Sequence, residues 1–237
     1  MKKRIWELDA LRGLFIAGMV LVHLTYDLVD LYGVIPKDGL TIYKFLLDWG
    51  GILFFLISGI CVTLSTHCEK RGILVFCMGM VCTAVTAGAV LLKLADPSLI
   101  IYFGVLHCLG LCMMLWPLFR KLPPWALGLI GAVIIAAGLY LDRCVRVDFP
   151  WLIPLGLYTR GFASSDYFPI LPNLGYFLVG ALLGRTLYRD KESLMPNANL
   201  KNPVIRFFLF CGKHSLIIYL LHQVVLVGVI GLILYFI

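Results

Sequence analysis

Charge is what this chain has least of. Asp, Glu, Lys and Arg make up 14% of its 237 residues, against 61% hydrophobic residues. A soluble domain carries about 25% charged residues, so that class is excluded. No internal repeat, low-complexity tract or polar stretch long enough for a soluble domain breaks the apolar runs. One domain over 1–237 is the economical reading. Gly-x-Ser-x-Gly, His-Glu-x-x-His, a dinucleotide fingerprint and a P-loop are all missing, which removes the common hydrolase, zinc-protease and nucleotide signatures. Disulfides have no framework. Cys61, Cys77, Cys82, Cys108, Cys112 and Cys211 fall in or near apolar runs, Cys68 falls on the inner side, and Cys144 is left as a lone external thiol. Cys108 and Cys112 lie one helical turn apart, but two thiols do not make a metal site, and none is expected. No basic soluble face exists for nucleic acid.

What is present is about seven apolar runs, at 8–31, 44–66, 72–92, 100–119, 124–141, 168–188 and 215–237. A hydrocarbon core of about 30 Å takes about 20 helical residues. The expected fold is an all-α integral membrane protein, a single bundle of about seven transmembrane helices. Twelve Lys and Arg lie on the side of the N-terminus (Lys2, Lys3, Arg4, Lys70, Arg71 and others) and six on the opposite side (Lys37, Lys44, Lys93, Arg143, Arg146 and Arg160). Positive charge stays inside, so the N-terminus is expected in the cytoplasm and the C-terminus outside the cell membrane. The net charge of +7 reads as topology and contact with anionic headgroups. Met-Lys-Lys-Arg ahead of an apolar run suggests a signal peptide, but Asp9 and Arg12 interrupt its core and no cleavage site follows. The first helix is read as uncleaved. Two connections are long. Residues 142–167 hold Trp151 and Tyr158 as headgroup-level anchors. Residues 185–206 read as a plain linker, and 202–210 as a short amphipathic helix on the inner surface.

The scarce charges are not scattered. The first run holds Asp9, Arg12, His23 and Asp27, with Asp30 just beyond. At about 100° per residue these fall within an arc of about 60°. An ionisable group facing lipid costs roughly 2.5–3.5 kcal/mol, so this face lines a polar interior. Arg12 and His23 are 11 residues apart, about 16 Å along a helix. They are two stations on one channel rather than an acid–base pair. Arg12, near the cytoplasmic mouth, suits phosphate because it stays charged and offers a planar donor fork. The alternative is that Arg12 snorkels to the inner interface and pairs with Asp9. His23 suits proton transfer near neutral pH, and Asp27, one turn on, is placed to orient it.

Two further intramembrane histidines follow. His107 lies in Phe103-Gly-Val-Leu-His-Cys-Leu-Gly110, and His222 in Ser215-Leu-Ile-Ile-Tyr-Leu-Leu-His222 with Ser215 and Tyr219 on its face. By depth, His107 is the expected neighbour of His23, and His222 the expected companion of Arg12. Each alone is more often a structural hydrogen-bonder than a catalyst. Lys213 and His214 add to a phosphate-binding mouth or serve as positive-inside anchors. Ser58-Gly59 and the Gly180/Gly184 spacing read mainly as close helix packing, with a substrate contact at Ser58 as the lesser reading.

Leu8-Asp-Ala-Leu-Arg-Gly13 with His23 beyond it resembles the opening of integral-membrane acyltransferases. It is similar to the acyltransferase-3 family and to bacterial relatives of the heparan-α-glucosaminide N-acetyltransferase catalytic domain. Phe55-Leu-Ile-Ser-Gly59, Gly104-Val-Leu-His107, Asp166-Tyr-Phe-Pro-Ile-Leu-Pro172 and Ser215–His222 carry the second likeness. The resemblance covers nearly the whole chain. It implies acetyl-CoA or another acyl-CoA as a donor from the cytoplasm, and a carbohydrate acceptor on the far side. Asp9, Arg12, Lys213, Tyr219 and His222 would then meet the coenzyme, and Tyr26, Ser58, Asp166 and Tyr167 the acceptor. His23 would be general base with Asp27 behind it, and His107 or Tyr26 would steady the oxyanion. There is one departure. The lysosomal member of that family has asparagine at the position of His23 and its catalytic histidine in the next loop, whereas 31–43 here has no histidine. The expected activity is therefore O- or N-acyl transfer through His23. A transporter or flippase, and a non-catalytic scaffold, are the rival readings. The bilayer, acyl-CoA and a carbohydrate are the expected partners, with a homo-oligomer left open.

Overall fold

A computed structural model describes residues 5–36, 41–147 and 149–236, without the side chains of Thr41 and Ile42. Lys2, Lys3, Arg4 and Lys37 of the charge count, and Ile237 of the last apolar run, lie outside the described residues. The chain is an all-α membrane protein. Its helices are α1 (Trp6–Tyr26), α2 (Thr41–Leu64), α3 (Cys68–Leu91), α4 (Val105–Phe119), α5 (Pro124–Cys144), α6 (Ile170–Leu187), α7 (Pro203–Lys213) and α8 (Ser215–Phe236). Six of them are long and apolar enough to cross a membrane, and α4 is a shorter apolar helix. At 1.5 Å per residue, α4 rises only about 22 Å. The helix expected over 100–119 starts late because 100–104 is extended, and Phe103 pairs in a bridge with Tyr167. The other spans fall within a few residues of expectation.

Two compact units divide the chain. Residues Met1–Phe54 with Lys191–Ile237 form the first, and Phe55–Asp190 the second. In the second unit, α3 packs on α4, and α5 on α6. Small residues also bring α2 against α6. A Cβ on Gly59 would lie 1.9 Å from the Phe177 carbonyl oxygen, and one on Gly180 would lie 2.0 Å from that of Leu56. The α2–α6 backbones therefore touch, as the Ser58-Gly59 and Gly180/Gly184 spacings predict.

In the first unit, α1 packs on α7 and α8. Asn202 caps α7, its side chain accepting the Val204 N–H at 2.9 Å. The helix then presses its C-terminal end on α1: a Cβ on Gly212 would lie 1.8 Å from the Asp9 carbonyl oxygen. Beyond Tyr26, α1 widens into a π-turn over Asp27–Leu31, with Tyr32 N donating to the Asp27 carbonyl five residues back at 2.8 Å. Such turns recur at functional sites because they re-aim side chains that a regular helix would hold in line.

Candidate functional site

At its N-terminal end, α1 is held by the segment that follows Lys191. The buried Glu7 carboxylate accepts Ser193 Oγ at 2.8 Å and Leu194 N at 2.7 Å, and Trp6 Nε1 donates to the Met195 carbonyl at 3.0 Å. Residues 193–195 are thus a clasp, not the plain linker expected from composition. The only sequence signal was a lone Glu one residue into an apolar helix. Asp9 and Arg12 form an ion pair at 3.4 Å, with Asp9 buried and Arg12 half-buried. This is the local pairing weighed above as the alternative for Arg12. Lys213 is exposed at the end of α7.

Higher up α1, the His23 ring meets His222 of α8. Their centroids are 4.7 Å apart and the rings stand edge to face at 65°. The expectation that His222 accompanies Arg12 is therefore corrected. The amphipathic α7 ends beside Asp9 and Gly13, so α8 begins one to two turns up α1 and brings His222 level with His23. Tyr219 takes part through its backbone. His222 Nδ1 lies 2.6 Å from the Tyr219 carbonyl oxygen. A carbonyl only accepts, so Nδ1 carries the hydrogen and Nε2 keeps its lone pair. That Nε2 is buried and has no partner among the described residues.

Asp27 is fully buried at the start of the π-turn. Its Oδ1 accepts Gln223 Nε2 at 2.8 Å, while Oδ2 and Gln223 Oε1 have no partner among the described residues. The carboxylate therefore holds Gln223 and does not orient His23 as i, i+4 spacing predicts. The backbone between the two is regular helix, with the Asp27 N–H bonded to the His23 carbonyl, so it is the Gln223 amide of α8 that takes the carboxylate. Gln223, an uncharged residue inside an apolar run, was not singled out by the sequence. Tyr26 is 38% exposed, Asp30 is exposed, and Tyr32 donates to the Val227 carbonyl at 3.2 Å.

The second unit holds the other predicted residues in a different kind of setting. His107 is 2% exposed. Its Nδ1 accepts the Gly104 N–H at 3.1 Å, and Nε2 lies 3.2 Å from Thr83 Oγ1. Thr83 spends its own hydrogen on the Ile101 carbonyl at 2.6 Å, so Nε2 is the donor and both ring nitrogens are occupied. Phe76 and Phe103 pack on the ring at 5.6 and 5.5 Å. Asp166 Oδ2 accepts the Val105 N–H at 3.1 Å, capping α4 from a distant loop, and any Cβ on Gly104 would lie 2.1 Å from that oxygen. Tyr167 donates to the Ile153 carbonyl at 2.7 Å. Outside the spans, burial pushes the Tyr167 phenol up, with Tyr158 and Asp142 adding to it. The Asp142 carboxylate that accepts the Tyr158 hydroxyl hydrogen at 2.6 Å pushes that phenol up as well. Ser58 is half-buried on α2. All eight cysteines are free, and among the described residues no cluster suits a metal.

A multi-pass helical protein with ionisable groups paired inside its apolar helices belongs among membrane enzymes and carriers. The sequence decides between them. Residues 4–224 match the family described as heparan-alpha-glucosaminide N-acetyltransferase, catalytic, and the chain belongs to that family. It is thus a membrane acyltransferase of the acetyltransferase kind. No curated protein and no solved structure matches the chain.

Proposed function

We propose that this protein moves an acyl group, in its simplest form acetyl, from cytoplasmic acyl-CoA to a carbohydrate acceptor on the outer side of the cell membrane. The observation that carries the reading is the contact, 4.7 Å between ring centroids, of His222 on α8 with His23 on α1, the helix that also bears Arg12. The family match runs through both units, which supports one acyltransferase domain over 1–237. The lysine and arginine asymmetry supports a cytoplasmic N-terminus and an external C-terminus.

The two stations suit a donor that is anionic at one end and reactive at the other. Arg12 stays ionised and its fork matches a phosphate. Asp9, which pairs with it, fixes its position, and Lys213 adds positive charge at the same end. His23 takes the proton from the acceptor hydroxyl or amine as its oxygen or nitrogen attacks the thioester carbonyl. The C–S bond breaks, and the imidazolium returns the proton to the departing thiolate. General-base help of this kind is worth about 10²–10⁴-fold. His222, its tautomer fixed by the Tyr219 carbonyl, presents a lone pair beside that ring. Tyr26 supports the acceptor from the same turn of helix. The roles sketched for His107, Asp166 and Tyr167 rest on the family likeness, while their hydrogen bonds serve the fold.

The test is acetyl-CoA consumption by purified protein, wild type against His23→Ala. Loss of about 100-fold or more in turnover is expected, with a melting temperature close to wild type. Acetyl-CoA should also raise the melting temperature of the wild type. Full activity in His23→Ala ends the assignment of the base. A wild type that neither consumes nor is stabilised by acetyl-CoA ends the transferase reading in favour of a carrier.

A further inference from the structure

Three buried polar atoms in the first unit have no protein partner among the described residues: Asp27 Oδ2, Gln223 Oε1 and His222 Nε2. They lie on neighbouring rungs where α1 and its π-turn run beside α8. His23 meets His222, Asp27 takes the Gln223 amide hydrogen, and Tyr32 donates to the Val227 carbonyl. All three unpaired atoms accept hydrogen bonds. One is a carboxylate oxygen. Another is an amide oxygen whose nitrogen is spent on Asp27. The last is an imidazole nitrogen whose hydrogen sits on the other side of the ring, held by the Tyr219 carbonyl. Buried acceptors without donors are destabilising, and Asp27 among them is 0% exposed.

We propose that Asp27, Gln223 and His222 form the recognition subsite for the acceptor, taking a group with two or more N–H or O–H donors and no negative charge. This rests on the acyl-transfer reading above and names the chemistry of its second substrate. A polyol or an amino alcohol brings the missing hydrogens. An anion would set lone pairs against lone pairs and a second negative charge against Asp27. The place fits the reaction. Asp27 is one turn beyond His23, so a group held there puts a neighbouring hydroxyl or amine at the imidazole. Arg12, about 16 Å back along the helix from His23, offers donors only. The two ends of α1 thus sort two substrates: phosphate is held at one and repelled at the other.

The experiment melts the purified full chain with glucose, glucosamine or glucuronate, without acyl-CoA. Glucose or glucosamine should raise the melting temperature, by about 5 °C at roughly a hundred-fold excess over Kd, and glucuronate should act far more weakly. A shift from glucosamine alone identifies an ammonium as the recognised donor, and shifts from both identify hydroxyls. Gln223→Met and Asp27→Asn should each remove the shift while still melting in one transition, so failure of one variant to fold leaves the other as the test. An equal shift from glucuronate, no shift from any of the three, or a full shift in either folded variant overturns the subsite. The sugar shifts need no acyl-CoA. A wild type that shows them yet consumes no acetyl-CoA therefore refutes the transferase reading and not the subsite.

Discussion

His107 and His222 are both imidazoles inside apolar helices, and the protein treats them in opposite ways. His107 has both nitrogens bonded and two aromatic rings against its faces. Every hydrogen near it has an address: Gly104 gives one, Thr83 takes one, and Ile101 takes the one from Thr83. His222 has one nitrogen bonded to a carbonyl and the other buried, and that nitrogen, Asp27 Oδ2 and Gln223 Oε1 have no partner among the described residues. A polar group with all its partners builds structure. Polar groups left short of partners carry a standing penalty of about 1–3 kcal/mol each, which a fold retains where a ligand or a proton relieves it. That contrast supports the proposal that chemistry belongs to the first unit, while His107 holds the architecture of the second.

The sharpest way to break that contrast is a crossed pair of variants. His23→Ala should cost at least about 100-fold in turnover with little change in melting temperature. His107→Ala should do the reverse. It removes a ring packed between Phe76 and Phe103 and strands the Gly104 N–H and the Thr83 hydroxyl, a loss of about 3 kcal/mol. The folded fraction should keep turnover within a few fold. Thermal melts and acetyl-CoA consumption on the same preparations read both quantities. If His107→Ala melts normally and is inactive, His107 moves to the catalytic side and the contrast fails.

These two settings were unequally legible in the sequence. Helix number and placement followed from apolar run lengths, because the bilayer thickness fixes how long a span must be. Asp9, Arg12 and His23 stood out because charge inside such a run is costly. What failed was pairing between helices. The depth expected of His222 fails because α7 lies against Asp9 and Gly13 and sets where α8 starts along α1. The i, i+4 register of His23 and Asp27 does hold in the backbone, but the carboxylate is bonded to Gln223 of α8, a contact between helices that local spacing does not encode. Gln223 carries no charge and left no trace in an apolar run. Glu7 did, but its partners lie 186 and 187 residues away, a separation that no local pattern encodes.

A smaller effect sharpens the architectural half of the comparison. Thr83→Val keeps the shape and removes the oxygen that His107 Nε2–H needs. One buried donor is left unpaired and one bond to Ile101 is lost, about 1–2 kcal/mol by melting. Thr83→Ser, which keeps the hydroxyl, should recover most of it. Neither variant should alter the KM for acetyl-CoA. A KM change in Thr83→Val with an unchanged melting temperature would tie this knot to substrate and blur the two regions.

The smallest effect lies in the 142–167 connection of the second unit, where Tyr158 and Tyr167 are held by Asp142 and by the Ile153 carbonyl. Both phenols are pushed up, Tyr158 first by its bond to the carboxylate and Tyr167 first by burial. The folded protein thus favours the neutral phenol more than the unfolded chain does. Their contribution is fully present below about pH 10, where free tyrosine is neutral, and is lost as pH rises through the folded values. Of the eleven tyrosines, these two should ionise late in an alkaline absorbance titration, and Tyr167→Phe should remove part of the late signal. Melting temperature should fall above about pH 10 in the wild type and less steeply in Tyr167→Phe. Transfer to a carbohydrate should change little in the same variant, since its hydroxyl is already committed to Ile153. If turnover collapses while the titration is unaltered, Tyr167 serves the acceptor, and unpaired polar atoms are no longer the mark that separates the working unit from the supporting one.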